Sequence, residues 1–241
     1  MITKEIIENR IKNWWGYGSF EAPVWFVGME EGLGGTQPTE LENRFLATDG
    51  KITMDIRKGM ETVPLHIRAL DEQQPLWDYQ IALYLYLKNG TEPKQNERSD
   101  YQKRTFANID VKETACIDLM PLPSRGTKES DWFYAKYDDG NLNLESRSRY
   151  LKKYKTARVE ALKELINEHK PKVVIFCSLG YLRTGDWAKI IGENPKEITN
   201  QMFFSKRGET AYCVIPQPHY LPRAYERLYE FADKIKEQIT F

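Results

Sequence analysis

The chain has 241 residues, 41% hydrophobic and 29% charged, the proportions of an ordinary soluble globular protein. Thirty-five basic residues balance thirty-five acidic ones, so no bulk field draws the whole molecule onto nucleic acid and any such surface must be local. There is no run of about 18 apolar residues, and Lys4, Glu5, Glu8 and Arg10 crowd the first turns, which argues against a signal peptide or membrane span and for a cytoplasmic, monomeric protein with no membrane partner.

In chain order, helical spacing covers 2–15, followed by the apolar run "PVWFVG" (23–28). Helical patterns return at 54–70 and 76–88, a second apolar run is "TACIDLM" (114–120), and a long helix is predicted over 146–169. "KVVIFCS" (172–178) and "AYCVIP" (211–216) complete the set of apolar runs, and a last helix is predicted over 222–239. Short runs rich in β-branched and aromatic residues read as strands buried on both faces. Their alternation with helices predicts an α/β sandwich around a parallel sheet, with 1–241 as a single domain. Residues 89–104 and 124–145 are polar and turn-rich and read as surface excursions. Cys116, Cys177 and Cys213 each fall inside an apolar run, as small buried hydrophobes do, and not at the spacing of a disulfide framework or metal site.

Ligands of an open parallel sheet bind beyond the carboxyl ends of its strands. The segments there are "GMEEGLGG", "MPLPSRG", "SLGYLRTG" and "PQPHYLPR". Their glycines allow close backbone approach and their polar side chains can converge on one pocket. Glu30 and Glu31 stand where an α/β enzyme keeps its chemistry, although two acids on a turn are also what a solvated loop carries.

These segments resemble the uracil-DNA glycosylase superfamily, especially its iron-sulfur and single-strand-selective branches. "FVGMEEG" is similar to the first motif, "ACIDLMPLPSR" to the strand, proline-rich loop and arginine of the second, "LKELINEHKPKVVIFCSLG" to the helix and strand that precede the last helices, and "PQPHYLPRAYERL" to the final histidine-containing motif. The blocks occur in family order over roughly half of the chain. The resemblance implies a three-layer α/β/α sandwich with a central, mainly parallel four-stranded sheet. It also implies a DNA glycosylase-like hydrolase that cleaves the N-glycosidic bond of a damaged or modified base in single- or double-stranded DNA, with no cofactor and no metal. The alternative is a noncatalytic nucleotide or nucleic-acid binding module on the same fold.

Residue by residue, the overlay puts Glu30 at the first motif's aspartate, with Glu31 as the alternative. Gln217 falls at the final motif's histidine and His219 two residues later, so Glu30, Glu31 and His219 are the candidate catalytic groups. Gly28, Met29, Phe45 and Pro121 are the candidate base contacts, with Phe45 as the stacking ring; Ser124, Arg125 and Arg223 are candidate phosphate ligands. The departures matter as well. The gapless overlay puts Ala115 where uracil readers keep an asparagine, which argues against uracil, and the cluster-binding cysteines have no counterparts, so no iron-sulfur cluster is expected. His66 and His169 lie within helical patterns and read as surface or packing residues. "RSRYLKKYKTAR" (147–158) concentrates six Lys or Arg with tyrosines between them. Arg149, Lys152 and Lys153 there either track phosphates or form a solvated face balanced by nearby acids.

Overall fold

The computed structural model describes residues 2–33, 41–138, 140–218 and 221–239. Helix α1 (Lys4–Asn13) begins at Thr3, whose hydroxyl accepts from the Ile6 amide, and leads through β1 (Gly16–Gly18) into β2 (Val24–Gly32). β1 runs so close to its neighbour that a Cβ on Gly16 would stand 2.1 Å from the Cys116 carbonyl oxygen, so only glycine fits there. Next come α2 (Leu41–Thr48), β3 (Thr53–Met54), α3 (Ile56–Glu61) and α4 (Pro64–Asp71). The helix expected over 54–70 is therefore two, divided at Pro64, because the residue before a proline avoids helical backbone and proline suits a helix start.

Helix α5 (Pro75–Asn89) is followed by α6 (Gln95–Arg104), in the stretch expected to be a polar excursion. That helix has no apolar stripe to announce it. It is held by the Lys94 amide donating to Glu97 Oε2 at 2.6 Å and by Arg98 reaching Asp78 of α5 at 2.8 Å. Strand β4 (Thr114–Ser124), the long α7 (Arg147–His169), β5 (Val173–Phe176), α8 (Leu179–Arg183) and α9 (Asp186–Ile191) follow. The chain ends on β6 (Lys196–Thr199), β7 (Met202–Arg207), β8 (Thr210–Val214) and α10 (Ala224–Lys236).

The four apolar runs are the four adjacent parallel strands β4-β2-β5-β8 at the centre of the sheet. The sheet itself is wider than expected, with eight strands among the described residues in the order β3-β1-β4-β2-β5-β8-β7-β6 and three antiparallel pairings at its flanks. The added strands are short or partly exposed and carry no continuous apolar signal. Asn200 and Gln201, both with positive φ, make the two-residue turn between β6 and β7.

Alternate residues of the central strands face two separate cores. Trp25, Val27, Val174 and Phe176 join one with side chains from α1, α2, α7 and α9, while Val24, Phe26, Val173 and Ile175 join the other with α3, α5 and α10. Each fully buried side chain of this size contributes about 1.5–3 kcal/mol. Burial on both faces is why these strands read as unbroken apolar runs. The three layers leave the carboxyl ends of the central strands as the rim of a cavity.

Candidate functional site

Met29 and Glu30 of β2, Asp118 of β4, Cys177 just beyond β5 and Gln217 beyond β8 line one cavity of about 630 Å³, inside the range of roughly 300–1,000 Å³ usual for small-molecule sites. All four central strands therefore reach it, but of the segments expected to line it only "GMEEGLGG" and "PQPHYLPR" do so; Asp118 and Cys177 belong to the apolar runs themselves, and "MPLPSRG" and "SLGYLRTG" contribute no wall. "GMEEG" is not a free turn, however. β2 stays paired with β4 from Val24↔Thr114 to Gly32↔Ser124, with one irregularity between Glu30 and Gly32, so both glutamates project from strand backbone. Successive strand side chains point in different directions, and the two carboxylates meet different partners.

Glu31 is enclosed by cations. The Arg44 guanidinium, with no exposed surface, pairs with Oε1, Arg10 Nη2 donates to Oε2 at 3.2 Å, and the Tyr17 hydroxyl donates to Oε1 at 2.9 Å. Burial opposes ionisation of this carboxyl, but Arg44 and Arg10 outweigh it and hold it below the usual glutamate range. The arginines are themselves anchored. Arg10 donates to the Pro121 carbonyl at 2.9 Å and to Thr48 Oγ1 at 2.6 Å, and Arg44 donates to the Gly59 carbonyl at 3.2 Å and lies 2.7 Å from His66 Nδ1.

Among the described residues Glu30 has one cation, Arg147, whose Nη2 donates to Oε1 at 2.6 Å. The second oxygen, Oε2, is buried with no hydrogen-bond partner among the described residues. Burial pushes the Glu30 carboxyl up and Arg147 only partly offsets it. Arg147 is aimed by the start of α7. Ser146 Oγ accepts from the Arg149 amide at 3.2 Å, and the Glu129 carboxylate accepts from the amides of Arg147 and Ser148 at 2.7 and 2.8 Å, which caps three of the helix's first N–H groups.

Asp118 was not singled out by the sequence pattern. It stands opposite Gly28 in the β2–β4 register, and the missing side chain at Gly28 makes room for its carboxyl: a Cβ there would lie 3.3 Å from Oδ1. Burial first, then Glu31, push this carboxyl well above the aspartate range, against the pull of Arg10. An acid of raised proton affinity beside one of lowered affinity separates a candidate proton donor from a fixed charge. The strand-end residue at the cavity is thus Asp118, whereas Ala115 lies three residues deeper, fully buried and paired with Trp25. The only local sign was one acid inside "ACIDLM".

Further walls come from helices that sequence reasoning did not connect to the site. His66 of α4 lines the cavity, contrary to its reading as a surface or packing residue, as do Trp77 and Gln80 of α5. Trp77 is half-buried and packs on Phe106. Phe45 is not a stacking ring: it has no exposed surface, packs against Tyr134 and carries the Arg10 guanidinium 4.8 Å above its centroid. Pro121 and Ser124 lie within β4 and do not line the cavity; the Pro121 carbonyl props Arg10, and Ser124 Oγ donates to the Gly126 carbonyl at 2.7 Å.

The basic stretch divides by helix face. Arg147 and Arg158 turn inward, Arg158 donating to the carbonyls of Leu119, Trp14 and Asp118 and lying 3.2 Å over the Trp15 ring centroid, and Lys155 pairs with Asp186 at 2.9 Å. Arg149, Lys152 and Lys153 face solvent, Arg149 paired with Glu145 and Lys153 donating to the Asn141 carbonyl. Arg125 is exposed, and so is Arg223, which pairs with Glu226. His219 lies outside the described residues. Among those residues, no group of three or more His, Cys, Asp or Glu has the arrangement to hold a metal ion, and no helix is long and apolar enough to cross a membrane.

In comparisons with known proteins, no family model matches the chain and no curated protein matches it either. The site is therefore read from its own chemistry.

Proposed function

We propose that the cavity is the base pocket of a DNA glycosylase-like hydrolase, with Glu30 rather than Glu31 as the group that activates water. The observation that carries this reading is the contrast between the two acids at one strand end. Glu31 has each oxygen occupied by arginine or tyrosine, whereas Glu30 Oε2 has no partner among the described residues and its carboxyl has a raised proton affinity, as suits a general base.

In the reaction, water attacks C1′ of the sugar and the C1′–N bond breaks, its electron pair leaving with the base. Glu30 takes the water proton. Asp118, on the cavity wall with its proton affinity raised by burial and Glu31, supplies a proton to the departing base, a role that His219 shares in the family-based reading. An extruded base lies against Trp77, and Arg125, Arg149, Lys152, Lys153 and Arg223 meet phosphates outside the cavity. The protein acts as a cytoplasmic monomer without a cofactor.

One observation favours the noncatalytic alternative: Gln217, at the place of the motif histidine, is a wall of the cavity and cannot exchange protons. Base release from single- and double-stranded oligonucleotides carrying uracil, hypoxanthine, xanthine, alkylated or oxidised bases distinguishes the two. Release by wild type that falls on the order of 100-fold in Glu30→Gln supports hydrolysis. No release of any base by wild type selects the binding module.

A further inference from the structure

One residue of the cavity wall has an acceptor with no donor to satisfy it. Gln80 is only 7% exposed and lines the cavity, yet its enclosed Oε1 has no hydrogen-bond partner among the described residues. A buried acceptor left unpaired is costly. It therefore calls for a ligand that presents an N–H group.

The orientation of the Gln80 amide follows from its neighbour. Burial raises the Cys177 thiol to about 12, so the sulfur keeps its proton near neutral pH, and that S–H is directed at the Ile175 carbonyl, 3.7 Å away. The sulfur then has only acceptor character for Gln80, whose Nε2 donates to it at 3.7 Å. The amide's NH₂ is thereby turned to the thiol and its oxygen is left over. A flipped amide would set its oxygen against a sulfur whose proton is already committed. Strand β5, through the Cys177 that follows it, thus fixes the hydrogen-bonding polarity of a side chain on α5.

Resting on the base-pocket reading above, we infer that the cavity selects heterocycles bearing an exocyclic amino group, of the cytosine, adenine or guanine type, over their oxo counterparts uracil, hypoxanthine and xanthine. An amino group gives Gln80 Oε1 the donor it lacks. A carbonyl in the same place sets lone pair against lone pair and leaves the acceptor unpaired, the situation in which polar sites reject analogues most strongly. Among damaged bases, alkylated adenine and oxidised guanine or cytosine keep the amino group, and uracil and hypoxanthine have lost it.

The test is binding of free bases in matched pairs, cytosine against uracil and adenine against hypoxanthine, followed by titration calorimetry or ligand-observed NMR on the full chain. Wild type is expected to prefer the amino member of each pair by about 10-fold or more. Gln80→Leu, which keeps the volume and removes the acceptor, should shrink that preference several-fold. Cys177→Ala releases the amide to rotate and should reduce the preference while circular dichroism stays native, so it carries the test if Gln80→Leu does not fold. Equal or tighter binding of the oxo bases, an unaltered preference in both variants, or no binding of any base overturns the inference. Amino-base preference without release from DNA leaves the selectivity intact and removes hydrolysis; release of uracil as readily as of amino-bearing lesions does the reverse.

Discussion

The Asp118 carboxyl lies over the backbone of Gly28, so near that a single added carbon at Gly28 would come within 3.3 Å of Oδ1. Two neighbouring strands thereby share one side chain's worth of space at the cavity wall. Gly28→Ala is expected to push the carboxyl aside by a few tenths of an ångström, and Gly28→Val to overpack the site at a cost of about 1–3 kcal/mol. Urea unfolding should show a small loss for the first and a clear one for the second, and base binding should weaken in both.

Removal of Glu31 is expected to damage the fold more than the chemistry. Glu31→Gln leaves Arg44, which has no exposed surface, without its counter-charge, and breaking a buried pair from one side costs about 3–5 kcal/mol. Glu30→Gln keeps an acceptor for Arg147 but removes its counter-charge from a pair that is also buried; its cost is smaller because one cation rather than two loses its partner and a neutral amide no longer resists burial. A larger drop in urea midpoint for Glu31→Gln, with a larger loss of base release for Glu30→Gln, is the expected pattern.

The same acids give stability opposite slopes with pH. The folded state holds the Glu31 carboxyl below its unfolded value of about 4.3. Its contribution is complete above that value and is lost as pH falls through the lower folded one. Asp118 is raised well above its unfolded value of about 3.9. The native chain therefore binds the extra proton above that pH, and stability falls as pH rises towards the folded value. Asp118→Asn, which mimics the neutral acid, should remove this decline and raise the denaturation midpoint at pH 7 relative to wild type, measured by chemical unfolding between pH 4 and pH 8.

On the exposed face of α7, replacing Arg149, Lys152 and Lys153 with Ala should leave stability within about 0.5 kcal/mol. Single-stranded DNA affinity should fall, and the slope of log K against log salt should flatten by about 0.7 for each phosphate that is no longer neutralised. Unchanged slope by fluorescence anisotropy across a salt series would assign these cations to a solvated helix face.

The sequence by itself determined the centre of this protein: four apolar runs become four adjacent parallel strands that border one cavity, although β4 and β5 reach it through Asp118 and Cys177 of the runs themselves and not through the segments that follow them. Those signals are local, because a strand buried on both faces must be apolar along its whole length. The flanking strands escaped, since two-residue β3, three-residue β1 and the half-exposed β6 need no such pattern. Tertiary structure alone decided which partners each acid meets. Glu30 and Glu31 are adjacent and chemically alike, but Glu31 meets Arg10, Arg44 and Tyr17 from 21, 13 and 14 residues away, and Glu30 meets Arg147 from 117. The raised proton affinity of Asp118 and the spare oxygen of Gln80 are likewise set by groups brought from other elements. Burial and charge act through space, and a carboxyl's proton affinity belongs to its surroundings rather than to its place in the chain.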